Sequence, residues 1–223
     1  MFTDVLNQLI SHRDLSAGDV TLVMNHIMSG NATDAQIGAF LIGLRMKGET
    51  VAEVHSAAAV MRRHATYIDA GAQSVIDTCG TGGDGSGTFN ISTTTAFVAA
   101  GAGVCVAKHG NRAVTSKCGS ADVLAALGFD LACSPFVMEQ CIQEHGIGFL
   151  FAPAMHPAMK HVMPARRQLG IRTIFNMLGP LTNPAAATGQ LLGVFAPELT
   201  EIFAEALNQL GCRRAFVVHG EPG

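Results

Sequence analysis

The sequence contains few charged or aromatic side chains, and this scarcity excludes some classes of protein. Tryptophan is absent, tyrosine occurs once, and 14 basic residues are outnumbered by 17 acidic ones, for a net charge of −3. A chain with this balance lacks the basic surface that general nucleic-acid binding requires. We therefore expect no nucleic acid among its partners.

Long apolar runs are also missing. The longest stretch, Ala96 to Ala107, is interrupted by glycines and falls well below the roughly 20 residues of a membrane-spanning helix. Asp4 follows closely on Met1, without a basic and then apolar leader. We expect no membrane association, no secretion and a cytoplasmic location.

Metal-binding patterns of cysteine and histidine are not found. The six cysteines form no Cys-x-x-Cys pair, and the nine histidines form no His-Glu-x-x-His motif. Reduced, buried thiols are the ordinary state of such cysteines in a cytosolic protein.

The chain divides into two parts by its pattern. The first part is helical, with capping-box signatures at Thr33–Gln36 and Thr50–Glu53 ahead of apolar runs. The second part alternates strand, loop and helix, which is typical of a mainly parallel sheet with helices around it. We predict an α/β protein with a small N-terminal α-helical domain at residues 1–70 and a larger α/β domain at residues 71–223.

The second part supplies five predicted strands and five predicted helices. The strands are Ser74–Thr78, Val104–Ala107, Ile147–Phe151, Gly189–Phe195 and Ala215–His219. The helices lie near Thr93–Ala100, Ala121–Leu127, Pro135–Glu144, Pro157–Leu169 and Pro197–Leu210. Ligands of such sheets bind beyond the carboxyl ends of the strands.

A glycine-rich loop follows the first of these strands. Five glycines fall between Gly80 and Gly87, where the absence of side chains lets a ligand approach the backbone. The run Asn90–Thr93 then begins a helix whose free N–H groups form an anion site. No Lys or Arg occurs from His64 to Ala107, and then Lys108, His109 and Arg112 follow on a predicted loop. This pattern indicates a site for a phosphorylated, pyrophosphate-bearing small molecule.

Better-known glycine motifs fit less well. Gly80-x-Gly82-x-x-Gly85 matches the dinucleotide fingerprint formally, but that motif needs a helix at its third glycine and an acid about 20 residues later. Here the next strand ends in Lys108-His109, which disfavours a dehydrogenase. No Gly-Lys-Ser/Thr follows, so the loop is not a P-loop. A flexible glycine loop without a ligand remains the alternative.

Five segments in order resemble anthranilate phosphoribosyltransferase. They are DTCGTGGD (Asp77–Asp84), NIST (Asn90–Thr93), KHGNR (Lys108–Arg112), VMPAR (Val162–Arg166) and RTIFNMLGPLTNP (Arg172–Pro184). The resemblance implies transfer of phosphoribose from 5-phosphoribosyl 1-pyrophosphate to the amine of anthranilate, in tryptophan biosynthesis. It also implies an active site in a cleft between two domains, helices near residues 157–182 packed on the α domain, and a homodimer formed by the first helices.

The resemblance assigns residues to each substrate. Those matching contacts to phosphoribosyl pyrophosphate are Gly80, Gly83, Asp84, Thr88, Asn90, Ile91, Ser92, Thr93, Lys108, His109, Gly110, Asn111, Arg112, Ala113, Val114, Thr115, Ser116 and Ser120. Those matching contacts to anthranilate are Gly80, Asn111 and Arg166, whose planar fork suits a carboxylate. No residue is expected to act as a general base, because positioning and the charge of Lys108 are expected to supply the catalysis.

The resemblance implies two Mg²⁺ ions. Ser92 matches the serine that contacts one of them, and its hydroxyl is the hard oxygen donor that Mg²⁺ prefers. The family continues after His-Gly-x-x-Gly with an Asp-Glu pair for the second ion. This sequence stops at His219–Gly223, so we expect that pair beyond Gly223 and a chain truncated at its C-terminus.

Two relatives of the same fold remain as alternatives. A pyrimidine nucleoside phosphorylase carries Ser after Lys-His, where this chain has Gly110. A non-enzymatic nucleic-acid-binding relative would need a basic surface, which the net charge does not provide.

Overall fold

A computed structural model describes residues 1–71, 74–82, 87–113 and 118–220. The chain forms two compact units. One contains Met1–Ala65 and His156–Thr182, and the other contains Thr66–Met155 and Asn183–Gly223.

The described residues form eleven α-helices and five β-strands, here in chain order. They are α1 (Phe2–Ile10), α2 (Ala17–Met28), α3 (Asp34–Lys47), α4 (Val51–Arg63), β1 (Ile76–Gly80), α5 (Ile91–Gly101), β2 (Val106–Gly110), α6 (Ser120–Ala126), α7 (Pro135–His145), β3 (Ile147–Phe151), α8 (Ala152–Met155), α9 (Met163–Leu169), α10 (Ile174–Leu178), β4 (Gly189–Gly193), α11 (Leu199–Gln209) and β5 (Arg214–Val218), with 3₁₀ turns at Pro157–His161 and Gly179–Leu181.

The first unit is built from amphipathic helices with well-formed starts. At the start of α3, the Gln36 N–H donates to the Thr33 hydroxyl at 3.2 Å, and the Thr33 N–H donates to the Gln36 side chain at 2.9 Å. This reciprocal pair satisfies two N–H groups that a helix start leaves free, and it confirms the predicted capping box. Apolar side chains such as Val20, Met24 and Phe40 are fully buried and form the core of the unit.

A buried ion pair lies where α3 ends and α4 begins. The Lys47 ammonium donates to Asp14 at 2.8 Å and to Glu53 at 2.9 Å. Glu53 is fully buried and also accepts the N–H groups of Leu15 and Thr50, each at 2.8 Å. Burial alone would lower the pKa of Lys47, but the hydrogen bonds to Asp14 and Glu53 outweigh it and raise that pKa. The charge of this lysine is therefore compensated within the unit.

Within the described residues, the second unit contains five strands in the order β3-β2-β1-β4-β5, and every neighbouring pair is parallel. This confirms the predicted α/β fold with a parallel sheet. Ile68, Ala107, Ile142 and Leu150 belong to a buried cluster in this unit. None of the described helices is both long and apolar enough to span a membrane.

Two strands end later than the sequence predicted. We expected β1 at Ser74–Thr78 and β2 at Val104–Ala107, with Lys108 on the following loop, and this placement is wrong. Each strand starts and ends two to three residues further on. Glycine and charged residues disfavour strands locally, but the neighbouring strands hold them here, because Gly80 pairs with Gly193 and Lys108 pairs with Phe149.

A second correction concerns the segment predicted as one helix at Pro157–Leu169. The structure divides it into the 3₁₀ turn Pro157–His161 and the helix α9. Pro164 is the second residue of α9, and a proline is tolerated at a helix start but not in a helix interior. Proline therefore marks the break.

Candidate active site

The site forms where the carboxyl ends of β1 and β2 lie side by side. These two strands are parallel neighbours, so the segments that follow them leave from the same edge of the sheet. The helix α5 begins after the glycine-rich loop of β1, and α6 begins after the loop of β2. The topology thus brings together the two segments that the sequence singled out separately.

Lys108 is the central charged group of this edge. Its side chain is buried, and its ammonium donates to the carbonyl of Thr78 and, at 3.2 Å, to the hydroxyl of Ser92. In the part of the chain that the structure describes, no carboxylate forms an ion pair with it. Burial lowers the pKa of Lys108, while the charge of Asp77 opposes that shift. A cation held only by neutral oxygens attracts an anion to this point.

Asp77 is a second buried ionisable group at this edge, and the sequence motifs gave it no role. One carboxyl oxygen accepts the N–H of His109 at 3.1 Å, which joins β1 to β2. The other oxygen has no hydrogen-bond partner among the described residues. Burial raises the pKa of Asp77, and the positive charge of Lys108 opposes the rise. Its sequence signals were its place at the start of the DTCGTGGD motif and within a predicted strand.

Side chains tie the two loops to each other. The Thr78 hydroxyl donates to the carbonyl of Ser92 at 2.8 Å, which connects β1 to the start of α5. The Thr93 hydroxyl donates to the Ser120 hydroxyl at 2.8 Å. The Asn90 amide donates to the carbonyl of Cys118 at 3.2 Å. The start of α5 is therefore bonded to the segment that leads into α6.

The other predicted residues of this unit that the structure describes lie at the ends of β1 or β2 or follow these strands in the chain. Gly80 ends β1, and Gly110 ends β2. A Cβ on Gly110 would lie 2.8 Å from the ring of Phe149, so a larger residue would have to displace that ring. Thr88, Ile91, Asn111 and Arg112 are exposed, His109 is buried and Ala113 is half-buried. Gly83, Asp84, Val114, Thr115 and Ser116 lie outside the described residues.

Arg166 belongs to the first unit, on α9. Its guanidinium lies 5.5 Å from the centre of the Phe175 ring, a contact that holds the planar group by a cation–π interaction. Burial lowers the pKa of Arg166. Within the described ranges no carboxylate pairs with it, so its fork is available to a carboxylate ligand.

One oxygen donor at this edge of the sheet, the hydroxyl of Ser92, could bind Mg²⁺. The described residues contain no group of three His, Cys, Asp or Glu side chains that could hold a metal. The partly exposed hydroxyl of Ser92 stands beside the Lys108 ammonium. Mg²⁺ keeps several waters and commonly takes one or two protein oxygens together with substrate phosphates. One hydroxyl at an anion site therefore fits this ion.

Two family models match the chain, and both describe parts of a glycosyl transferase. The "Glycosyl transferase family, helical bundle domain" matches residues 3–65, and the "Glycosyl transferase family, a/b domain" matches residues 72–223. The chain thus belongs to the glycosyl transferase family.

Comparison with individual relatives shows which members of this family the chain resembles. The chain is 63% identical over its whole length to the anthranilate phosphoribosyltransferase of Desulfosudis oleivorans, of which it covers 66%. It is 53% identical to that of Pelobacter propionicus, of which it covers 68%. The chain belongs to the anthranilate phosphoribosyltransferases of the glycosyl transferase family, which confirms the resemblance of the motifs. It spans about two thirds of the length of the curated relatives that it matches.

Solved structures agree with this assignment. The anthranilate phosphoribosyltransferase of Thermus thermophilus superposes with a TM-score of 0.93 at 46% identity, over 99% of this chain and 67% of that one. The enzyme of Saccharomyces cerevisiae, solved in complex with PRPP and Mg, gives a TM-score of 0.90 at 32% identity, over 100% of this chain and 66% of that one.

Proposed function

We propose that this chain transfers phosphoribose from 5-phosphoribosyl 1-pyrophosphate to the amine of anthranilate, which gives N-(5-phosphoribosyl)anthranilate and pyrophosphate. The observation that carries the proposal is the position of the Lys108 ammonium. It lies between the end of β1 and the start of α5, bonded to Thr78 and Ser92 and paired with no carboxylate of the described residues. Such a group suits the pyrophosphate of the substrate.

The proposed binding residues follow from the family match and the geometry together. Backbone N–H groups at the start of α5 suit phosphate oxygens, and the hydroxyls of Ser92 and Thr93 lie in the same turn. The exposed amide of Asn111 and the fork of Arg166 are assigned to anthranilate. The bidentate geometry of Arg166 suits its carboxylate.

The chemistry needs charge stabilisation more than proton transfer. As the bond from ribose C1 to pyrophosphate breaks, negative charge grows on the leaving group, and Lys108 stabilises it. The aniline nitrogen of anthranilate is largely unprotonated at neutral pH, so it attacks C1 without a strong general base, and the proton that the nitrogen then loses passes to water. Holding the two substrates in line supplies much of the remaining rate.

We propose Mg²⁺ as the metal, with Ser92 as its protein ligand. When bound, the ion supplies further positive charge to the pyrophosphate oxygens. The Ser92 hydroxyl already accepts a hydrogen bond from Lys108, so the protein charge and the metal ligand act on the same part of the substrate.

A homodimer formed by the N-terminal helices is a further part of the proposal. Ile10, Leu22 and Met46 are large apolar side chains on α1, α2 and α3 that are more than half exposed, which suits a subunit interface. Sedimentation velocity of the wild type and of Leu22→Glu tests this proposal. We expect a dimeric wild type and a weakened dimer in the variant, and a monomeric wild type would contradict the proposal. A cytoplasmic location stays a prediction that cell fractionation can check.

The test of the reaction is the fluorescence of anthranilate. We expect the signal of anthranilate to fall only when phosphoribosyl pyrophosphate and Mg²⁺ are both present. The matched control is a reaction with a pyrimidine nucleoside and inorganic phosphate, which a nucleoside phosphorylase would consume. Phosphorolysis with stable anthranilate fluorescence would replace this proposal with the phosphorylase.

A further inference from the structure

The two strands that carry the site, β1 and β2, are paired with each other over a shorter length than the other strands of the sheet. The neighbours β1–β4, β2–β3 and β4–β5 are each paired at five positions. Between β1 and β2, the described residues form one pair, Ile76 with Val106, although each strand is five residues long. The backbones of β1 and β2 therefore separate towards their carboxyl ends, where the site lies.

A ladder that continued beyond this pair would next join Thr78 to Lys108. In a parallel ladder, the backbone of Thr78 would then bond to the carbonyl of Ala107 and to the N–H of His109. Both of these β2 groups bond to side chains instead.

Two buried side chains, those of Asp77 and Asn183, take the places of the missing ladder bonds. The amide of Asn183 donates to the carbonyl of Ala107 at 2.8 Å, and the carboxyl of Asp77 accepts the N–H of His109 at 3.1 Å. The side chain of Asn183 is itself fixed, because its oxygen accepts the N–H of Ala185 at 2.9 Å. The buried backbone groups of β2 are thus satisfied although the ladder is interrupted.

The interrupted ladder leaves a carbonyl of β1 to the ammonium of Lys108. The carbonyl of Thr78 accepts from this ammonium, in the place that the N–H of His109 would take in a continuous ladder. The same ammonium donates to the hydroxyl of Ser92 at the start of α5, at 3.2 Å. In a continuous ladder the side chain of Lys108 would stand roughly perpendicular to the sheet. The separation of the two strands therefore decides where this cation lies.

We propose that Asp77 and Asn183 are positioning residues for phosphoribosyl pyrophosphate, because they keep β1 and β2 apart and so place the ammonium of Lys108 where the pyrophosphate binds. This inference rests on the function proposed above. A misplacement of about 1 Å at a site can cost on the order of 100-fold in rate, so residues without a substrate contact can still control the site. Both residues stand in the motifs DTCGTGGD and RTIFNMLGPLTNP, but the resemblance assigned neither of them to a substrate.

Substitutions of similar size separate the hydrogen bonds from the packing. Asp77→Asn keeps an oxygen that can accept the N–H of His109, whereas Asp77→Leu keeps none. Asn183→Leu removes both the donor and the acceptor of that side chain. The matched control is Thr188→Val, which removes a hydrogen bond of 3.3 Å from the Thr188 hydroxyl to the carbonyl of Val75, just before the start of β1.

The first measurement is calorimetric titration of each protein with phosphoribosyl pyrophosphate and Mg²⁺ at pH 7. We expect Asp77→Leu and Asn183→Leu each to bind at least about tenfold more weakly than the wild type. We expect Asp77→Asn to stay within about threefold of the wild type and Thr188→Val to match it. Denaturant titration shows that each variant is folded under the conditions of the calorimetry.

The second measurement is NMR of the substrate-free protein, which reports on geometry and not on stability. Scalar coupling across a hydrogen bond should connect the backbone nitrogen of His109 to the carboxyl carbon of Asp77 in the wild type. In Asp77→Leu we expect a coupling to the backbone carbonyl carbon of Thr78 instead, because the released N–H takes its ordinary ladder partner. The ε-carbon signal of Lys108 should move in both leucine variants and stay in place in Thr188→Val.

The outcomes distinguish this inference from the proposed function. Unchanged affinity in both leucine variants, with a wild type that binds, contradicts the positioning role alone. A coupling between His109 and the carbonyl of Thr78 already in the wild type contradicts the separation of the strands. Equal losses of affinity in Asp77→Asn and Asp77→Leu, or an equal loss in Thr188→Val, would also overturn the role. A wild type that binds no phosphoribosyl pyrophosphate contradicts the proposed function, and this role with it.

Discussion

Each unit of the chain buries a lysine, and the two lysines have opposite surroundings. The side chain of Lys47 in the helical unit is 4% exposed and donates to the carboxylates of Asp14 and Glu53. Lys108 in the α/β unit is 3% exposed and donates to a carbonyl and a hydroxyl. Burial acts on both, yet the pKa of Lys47 is raised and that of Lys108 is lowered.

The difference in partners indicates which lysine stabilises the fold and which lysine is suited to bind a ligand. A buried charge is costly unless an opposite charge and hydrogen bonds compensate it. Lys47 has this compensation within the protein. Among the described residues, Lys108 has only neutral oxygens as hydrogen-bond partners, so an anionic ligand is the natural counter-charge.

The largest expected effect is the loss of stability on substitution of Lys47, the lysine that is paired with carboxylates. Lys47→Met leaves Glu53 buried without its cation, and we expect the free energy of unfolding to fall by about 3 kcal/mol. This is the lower end of the usual range, because backbone N–H groups still hold Glu53. Denaturant titration measures it, with Lys160→Met, an exposed lysine of the same unit, as control. A loss of less than about 1 kcal/mol would mean that the ion pair is not structural.

The same substitution at Lys108 should change binding and not stability. Lys108→Met removes a charge-assisted contact, so we expect affinity for phosphoribosyl pyrophosphate to fall by about 1.5–3 kcal/mol, or about 10- to 150-fold. Stability should change little, because removal of the desolvated charge of Lys108 is offset by the loss of a positive charge near the buried carboxyl of Asp77. Calorimetry and denaturant titration decide the two parts. A loss of stability with unchanged affinity would show that Lys108 stabilises the fold, as Lys47 does, and does not bind the substrate.

His156 is a third buried base, and it is buried uncharged. Desolvation, opposed by a hydrogen bond with the backbone of Thr182, lowers the pKa of His156 to about 4 from 6.5. The unfolded chain therefore binds a proton below about pH 6.5 that the folded chain does not bind until about pH 4. Stability from this residue is complete above about pH 6.5 and is lost as the pH falls, by about 2 kcal/mol at pH 5.

The check is the pH dependence of unfolding in two variants. His156→Gln should show a smaller loss of stability between pH 7 and pH 5 than the wild type. His145→Gln, at an exposed histidine, should follow the wild-type curve. Parallel curves for all three proteins would show that His156 is not buried as a neutral base.

The smallest expected effect concerns Arg166, a cation of the helical unit that forms no ion pair with a carboxylate of the described residues. Arg166→Lys keeps the charge but loses the fork, and we expect the preference for anthranilate over aniline to fall about fivefold, the worth of one net hydrogen bond. Competition binding measures it, and Arg167→Lys on the exposed side of α9 is the matched control. An equal preference in both variants would leave Arg166 as a packing residue against Phe175.

The sequence predicted the fold better than the ends of its elements. The α/β alternation and the capping boxes depend on local patterns, and the structure confirms both. The late ends of β1 and β2 depend on neighbouring strands. Gly110 pairs with Phe151 across 41 positions of sequence, and no local propensity carries that information. The prediction that Lys108 lies on a loop failed for this reason.

The residues of the candidate site also divide into those that local sequence identifies and those that depend on distant partners. Glycines, hydroxyls and Lys108 stand in recognisable motifs, so the sequence could name them as candidates. Asp77 acts through a partner that only the folded chain defines, 32 residues away at His109. An acid within a strand is a signal, but it has ordinary structural explanations.

The most direct test of the account is NMR of lysine side chains, since the chain contains only four lysines. Protein labelled with ¹³C at the lysine ε-carbon is titrated with phosphoribosyl pyrophosphate and Mg²⁺, and single substitutions assign the signals. We predict that the Lys108 signal shifts on binding while the Lys47 signal, held by its carboxylates, stays in place. Saturable binding that leaves the Lys108 signal unmoved would contradict the claim that this lysine is the anion-binding centre of the site.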